Sequence, residues 1–405
     1  MNAVEIEGCR NCRMPEFISL MSLGEQYLSD FVEKGREGIK GPLDLVMCQN
    51  CKLVQLKHTL NRDLIYHRTY WYRSGISQTI KDDLAGIVRS VESIADIKHG
   101  DTVIDIGCSD GTLLDCYSDK SLNTVGFEPA SNVGVMAKEK GHRIFYDYFG
   151  FRALPPARVI TAVAMFYDLD DPHGFLRDIT DMLADDGVFV VQQNYLGAMM
   201  MNYTFDNIGH EHLCYYSYAT MHDLVMQHGL DIFRAEYNDI NGGSFRLFMQ
   251  KDGGPYQMSS YRVVEEKHLE VPSFYETYAK EIEKMMGKLF SFITQEVAKG
   301  KTVAIYGASN RGNVILQHLG LNSDFISFAT DGNTWKHGLY TVGTNIPIVS
   351  KEEARKRNPD YFFLSPYHLT DEIKGQETEW LDKGGKFIVP IPHPCILGKD
   401  GVMPL

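Results

Sequence analysis

Thr102-Val103-Ile104-Asp105-Ile106-Gly107-Cys108-Ser109-Asp110-Gly111 decides how this chain folds. An apolar, β-branched run breaks at a glycine-bearing loop, and a helix is expected to begin at Thr112-Leu113-Leu114. Glycine at the carboxyl end of a first strand lets a ligand approach backbone that a side chain would cover. Outward from this stretch, strands are expected at 102–107, 123–128, 142–146, 158–164, 187–193, 230–237 and 244–249. The first five alternate with helices and predict a parallel sheet. The last two are joined by Asn241-Gly242-Gly243, which leaves no room for a crossover helix, so they predict an antiparallel edge hairpin.

Glu128 follows Gly107 by 21 residues, in Gly126-Phe127-Glu128-Pro129 at the end of the second strand. A carboxylate there can accept both hydroxyls of a ribose, which suits a dinucleotide or S-adenosylmethionine (SAM). The local chemistry favours SAM. A dinucleotide loop wants a third glycine and a pyrophosphate on the helix N-terminus, where this chain has Asp110-Gly111-Thr112-Leu113. An aspartate repels pyrophosphate, whereas Asp105 and Asp110 suit a sulfonium and an ammonium. The expected cofactor set is Asp105, Gly107, Asp110, Gly111, Glu128, Pro129 and, after the fourth strand, Met165.

Near the N-terminus stand Cys9-x2-Cys12 and Cys48-x2-Cys51, separated by 35 residues. Two such knuckles complete a tetrahedral S4 site, and with no open-site signature nearby they predict a closed structural zinc. The remaining cysteines (Cys108, Cys116, Cys214, Cys395) are scattered, which fits a reducing cytoplasm better than a disulfide scaffold.

The chain has 405 residues, enough for two or three domains. We expect a zinc-binding module at 1–58, a SAM-binding domain at 59–250, and a second Rossmann-like α/β domain with a leading helix at 251–405. That helix should span 272–298, with apolar positions at Tyr275, Tyr278, Ile282, Met285, Leu289 and Ile293. Beyond it come a strand at 302–306, a helix at 311–319 and a strand at 325–330. No apolar run reaches the ~18–20 residues of a membrane span, and Met1–Glu7 lacks a secretion signal. A formal charge of −13, with Lys and Arg unclustered, argues against nucleic acid as a partner. The expectation is a cytoplasmic protein, a monomer or small homo-oligomer.

After the fifth strand comes Phe205-Asp206-Asn207-Ile208-Gly209-His210-Glu211-His212-Leu213-Cys214-Tyr215-Tyr216-Ser217. Two histidines flanking a carboxylate read as acid/base machinery, with metal binding and a purely structural role as alternatives. Arg246, in Gly242-Gly243-Ser244-Phe245-Arg246, either meets an anionic substrate or covers the sheet edge.

Across nearly its whole length the chain resembles the three-domain sugar C-methyltransferases of deoxysugar biosynthesis. The resemblance rests on four ordered blocks: the two Cys-x2-Cys pairs; Asp105 to Gly111 with Gly126 to Ala130; His210 to Ser217 with Gly242 to Arg246; and Tyr306-Gly-Ala-Ser-x-x-Gly-Asn313. It implies methyl transfer from SAM to a carbon beside the ketone of a nucleotide-linked sugar. It implies His212 as the base and Glu211 as its orienting partner, with His210 beside them. Tyr70 and Tyr72 match the region lining the sugar site, and Tyr72 joins the expected catalytic set. Ser309, Arg311 and Asn313, with Asn241 and Arg246, are the implied substrate contacts. Where the family commonly has tyrosine and histidine, this chain has Gly209 and, after the fourth strand, Asp168, which makes Asp168 a rival base. Two other readings stand beside this one: a SAM-dependent O-methyltransferase on a sugar or related metabolite, and a non-catalytic zinc-containing binding protein.

Overall fold

The apolar runs after residue 100 assemble into one twisted seven-stranded sheet in a computed structural model that describes residues 3–66, 69–257 and 266–405. Its strands are β1 (Thr102–Ile106), β2 (Asn123–Phe127), β3 (Arg143–Phe145), β4 (Ala157–Val163), β5 (Leu183–Asn194), β6 (Leu230–Asn238) and β7 (Ser244–Lys251). The spatial order is β3-β2-β1-β4-β5-β7-β6. Strands β1 to β5 are parallel, and β7 runs antiparallel to both β5 and β6. The turn between β6 and β7 takes Asn241 (φ 55°), Gly242 (φ 84°) and Gly243 (φ 119°) through the left-handed region, which is why two glycines stand there.

Helix Gln78–Ile94 buries Ile80, Leu84, Ile87, Val88 and Val91. The helix expected at Thr112 does not form. One turn closes, with the Asp115 amide on Gly111 O at 3.0 Å, and only a 3-10 turn, Leu114–Cys116, follows. Tyr117 already has extended backbone (φ −61°, ψ 133°), which ends the helical run after this turn.

The N-terminal module is a four-stranded antiparallel sheet ordered Cys214–Tyr215, Val54–Leu56, Lys40–Cys48, Phe17–Tyr27. Its first strand is therefore borrowed from the block that follows His212. The C-terminal part starts with helix Pro272–Ala298, which buries Met286 rather than the expected Met285. A second seven-stranded sheet follows, ordered Ile348–Val349, Ala329–Thr330, Val303–Tyr306, Tyr361–Leu364, Lys386–Val389, Cys395–Gly398, Gly401–Pro404. The strand expected over 325–330 shrinks to Ala329–Thr330, because the Ile326 amide turns back to Asn322 O. Tyr340–Thr341 also pairs with Phe31–Val32, tying the two ends of the chain together. Of the aromatic run Tyr66 to Gly75, His67 and Arg68 lie outside the described residues.

Candidate active site

Gly107 (φ 70°), Ser109 (φ 51°) and Gly111 (φ 77°) turn the chain after β1. A Cβ on Gly111 would lie 2.8 Å from that of Ala137, so the turn admits only glycine. Placed by this turn, the Ser109 amide donates to Glu128 Oε2 (3.0 Å), and the Ala130 amide donates to Oε1 (2.9 Å). Burial nevertheless pushes the Glu128 carboxyl up to about 7. Asp105 accepts from the Thr161 hydroxyl at 2.6 Å and is likewise raised by burial to about 7. Both carboxylates line a cavity of about 580 Å³, together with Gly107, Pro129 and Met165. Asp110 is buried behind this wall, accepting from the Gly75 amide (3.0 Å) and the Thr112 hydroxyl (2.6 Å).

The same cavity continues to Asp168, His210 and Glu211, with Tyr66, Tyr70 and Tyr72 on its wall. Asp168 Oδ2 accepts from the Tyr66 hydroxyl at 2.8 Å, while Oδ1 is buried with no hydrogen-bond partner among the described residues. Burial, then the nearby Glu211 carboxylate, holds Asp168 well above the usual carboxylate range. Glu211 Oε1 accepts from Asn310 Nδ2 at 2.7 Å. His210 donates Nε2–H to Gly41 O (2.9 Å), anchoring the block to the N-terminal module. His212 donates Nδ1–H to Asn207 O (2.7 Å), which leaves the lone pair on Nε2. Its ring packs 4.3 Å from that of Tyr167, centroid to centroid, and burial lowers its pKa to about 4, so the imidazole is neutral at pH 7. His212 does not itself reach the cavity wall.

The expected substrate residues divide. Tyr70, Tyr72 and Asn241 line the cavity. Arg246 is spent within the fold: Nε donates to Gln192 Oε1 and an Nη to Asp83 Oδ1, both at 2.7 Å. Arg311 forks onto Asp206 (2.8 and 3.1 Å) and also donates to Asn241 O and the Tyr367 hydroxyl. Ser309 caps its helix, its hydroxyl accepting from the Gly312 amide and pairing with the Ser365 hydroxyl. Asn313 is buried beside Val342 and Thr344. None of Ser309, Arg311 and Asn313 lines the cavity, and the polar groups of these implied substrate contacts are engaged within the fold. Sequence reasoning missed Tyr66, although it heads the aromatic run. Gln192, at the end of the fifth strand, also lines the cavity.

The four cysteine sulfurs Cys9, Cys12, Cys48 and Cys51 lie within 4.8 Å of one another. Zinc–sulfur bonds of about 2.3 Å place tetrahedral sulfurs roughly 3.8 Å apart, so the cluster fits the metal. Gln55 Nε2 (3.1 Å) and the Asn11 amide (3.4 Å) both donate to Cys9 Sγ, as suits a thiolate. Arg13 (φ 64°) and Lys52 (φ 62°), each following the second cysteine of its pair, turn both knuckles the same way.

Three family models match in order: a zinc binding domain over residues 9–66, a methyltransferase domain over 80–235, and a C-methyltransferase C-terminal domain over 239–392. The chain is also 29% identical, over 98% of both sequences, to the C-methyltransferase NovU of Streptomyces niveus. The three domains of a C-methyltransferase thus follow one another along this chain. The enzyme is a SAM-dependent methyltransferase whose fold also carries the zinc cluster. Among solved structures it is similar to a SAM-dependent methyltransferase from Clostridium acetobutylicum (15% identity, 43% of this chain and 91% of that one, TM-score 0.35). Another is the magnesium protoporphyrin IX methyltransferase of Synechocystis with bound SAM (10%, 42% and 79%, TM-score 0.34). In the methyltransferase described here, Asp105, Gly107, Glu128, Pro129 and Met165 are the cavity residues available to hold SAM.

Proposed function

We propose that this methyltransferase acts on a nucleotide-activated ketodeoxysugar and methylates a carbon next to its ketone. The observation that carries the reading is the single cavity joining Glu128 and Asp105 at one end to Asp168, Glu211 and His210 at the other. Proton-active groups share a chamber with the residues that fit SAM, and the 29% identical relative is a C-methyltransferase. When bound, SAM supplies an electrophilic methyl group.

The chain's own task is then to remove a proton made acidic by the ketone. Asp168 is the stronger candidate base. It lines the cavity, it offers a buried oxygen without a partner among the described residues, and Tyr66 stabilises its ionised form. His212, fixed in the tautomer that leaves Nε2 free but standing behind the wall, is the alternative. The tyrosines at 70 and 72 offer apolar faces to a sugar ring and hydroxyls to its oxygens.

The test is to incubate the enzyme in D2O with nucleotide-linked 4-ketosugars and follow the carbon next to the ketone. Deuterium should enter before any methyl does. Methyl transfer without prior exchange in any substrate would favour a hydroxyl acceptor. A thermal-shift screen of UDP-, dTDP-, GDP- and CDP-sugars identifies the nucleotide, since a ligand at 100 times its Kd adds about 2.7 kcal/mol.

A further inference from the structure

Residues 70–77 run along the SAM end of the cavity as a strap that ends in a 3-10 turn, Ser74–Ile76, and three parts of the fold hold it. Toward the methyltransferase domain, Asn132 brackets the Tyr70 backbone, accepting its amide (3.1 Å) and donating to its carbonyl (2.9 Å). The Ser74 amide reaches Ser109 Oγ (3.3 Å), and the Gly75 amide reaches Asp110 Oδ2 (3.0 Å), both on the glycine loop. Gly75 sits so close that a Cβ there would lie 2.7 Å from that carboxylate oxygen. Toward the N-terminal module, the Trp71 indole N–H donates to Asp30 Oδ1 (2.7 Å).

The C-terminal domain holds the other side. Asn333 Nδ2 donates to Trp71 O (2.9 Å), and Arg73 lies over the Trp335 ring (5.0 Å). At the end of the strap, one carboxylate of that domain, Glu372, gathers four donors: Ser77 Oγ (2.9 Å), Thr79 Oγ1 (2.7 Å), the Thr79 amide (3.1 Å) and the Gln78 amide (3.4 Å). The two amides belong to the first turn of helix Gln78–Ile94, where unpaired N–H groups and the helix dipole both favour an anion. These bonds hold the Glu372 carboxyl below its ordinary range against the pull of burial.

We propose that Glu372 is a positioning residue for the cofactor: by clasping strap 70–77 from the C-terminal domain, it keeps the strap closed over bound SAM. The strap touches the SAM loop directly through Ser74 and Gly75 and lines the cavity through Tyr70, Tyr72 and Ser74. Opening the clasp frees that roof without altering any cavity residue. Docking of the C-terminal domain and retention of SAM are therefore coupled, and by reciprocity SAM tightens the docking. The proposal concerns the SAM site alone and does not depend on the identity of the methyl acceptor.

The experiment measures SAM in the binary complex, with no sugar present. Glu372→Ala should raise the Kd for SAM about tenfold, chiefly through faster dissociation followed by the fluorescence of Trp71 in the strap. Glu372→Asp should recover part of the loss. In the ligand-free protein, hydrogen exchange of amides 70–77 should rise in Glu372→Ala. Asn333→Ala, which removes the clamp at the other end of the strap and leaves the cap of helix Gln78–Ile94 intact, should weaken SAM in the same way, and the double variant should lose less than the sum. A Glu372→Ala protein with a lowered Tm but unchanged SAM affinity, dissociation rate and strap exchange would reduce Glu372 to a helix cap and overturn the proposal.

Discussion

The Tyr66 hydroxyl donates to Asp168 Oδ2 at 2.8 Å, joining a residue from the edge of the zinc module to the turn after the fourth strand of the methyltransferase sheet. That bond opposes the burial and the Glu211 charge that raise the Asp168 pKa. Activity needing ionised Asp168 should therefore rise with pH along a limb displaced above the ordinary carboxylate range. Tyr66→Phe removes a bond to the charged form, so this limb should move to higher pH in a profile of kcat/KM. A limb that does not move separates Tyr66 from the reacting group.

The choice of base is decided by comparing two variants. Asp168→Asn should cost about 10²–10⁴-fold in turnover, the range for a positioned general base, with SAM affinity near normal. His212→Gln keeps a side chain able to donate to Asn207 O and should cost less. The reverse order, a dead His212 variant and a nearly normal Asp168 variant, returns the role to the imidazole.

SAM binding should be linked to protons. Burial raises Glu128 and Asp105 to about 7, so in the free protein both are partly protonated near neutrality. A cationic ligand and ribose hydroxyls favour the ionised forms, so binding near pH 7 should release protons and weaken as pH falls below 7. Calorimetry in two buffers of different ionisation enthalpy reads the release directly, and Glu128→Gln should remove part of it. The same raised pKa values work against the ligand-free fold. They lower its stability as pH rises from the unfolded carboxylate value, about 4, to 7, because the unfolded chain gives up those protons first. Heat capacity scans of the free protein at pH 5 and 7 check this sign.

Arg311 faces Asp206, whose side chain has no exposed surface. Arg311→Ala leaves that carboxylate buried and unpaired, and should destabilise the protein by about 3–5 kcal/mol in urea titration. A folded variant of normal stability with weakened nucleotide-sugar binding would instead make Arg311 a ligand contact.

Metal analysis should find about one zinc per chain, and Cys48→Ser should lose it. Thiolate ligation ties metal retention to local folding, so the N-terminal module should become protease-sensitive in the variant. A metal-free wild type with the module intact contradicts the zinc centre.

The central sheet was legible because its signals are local. Period-two and continuous apolar runs mark β1 to β5, and Asn241-Gly242-Gly243 can only be a turn. The cysteine pairs were legible for the same reason, since four thiols at knuckle spacing have few other uses. Long-range pairings were not legible. Nothing in Arg311 or Arg246 announces that Asp206 or Asp83 will occupy it, and a guanidinium in a glycine-rich loop reads equally well as a ligand contact. Glu372, 294 residues from Gln78, carries no sequence signal for its capping role, because capping across domains leaves no fixed spacing. The short helix expected at Thr112 failed for a different reason: the backbone turns extended at Tyr117, whose ring is buried in the same core as Leu113 and Leu114, and local pattern does not announce that turn.

The sheet of the zinc module closes with Cys214–Tyr215, hydrogen-bonded to Val54–Leu56. This arrangement sets an order of events during synthesis. The cysteine knuckles leave the ribosome well before Cys214–Tyr215 and can take up metal early, yet the edge strand Val54–Leu56 keeps an open flank until residue 215 has emerged. Some 160 residues, including the five parallel strands of the methyltransferase sheet, must be made in between, so a module translated before that sheet is completed only after them, and its exposed edge is a site for mispairing until then.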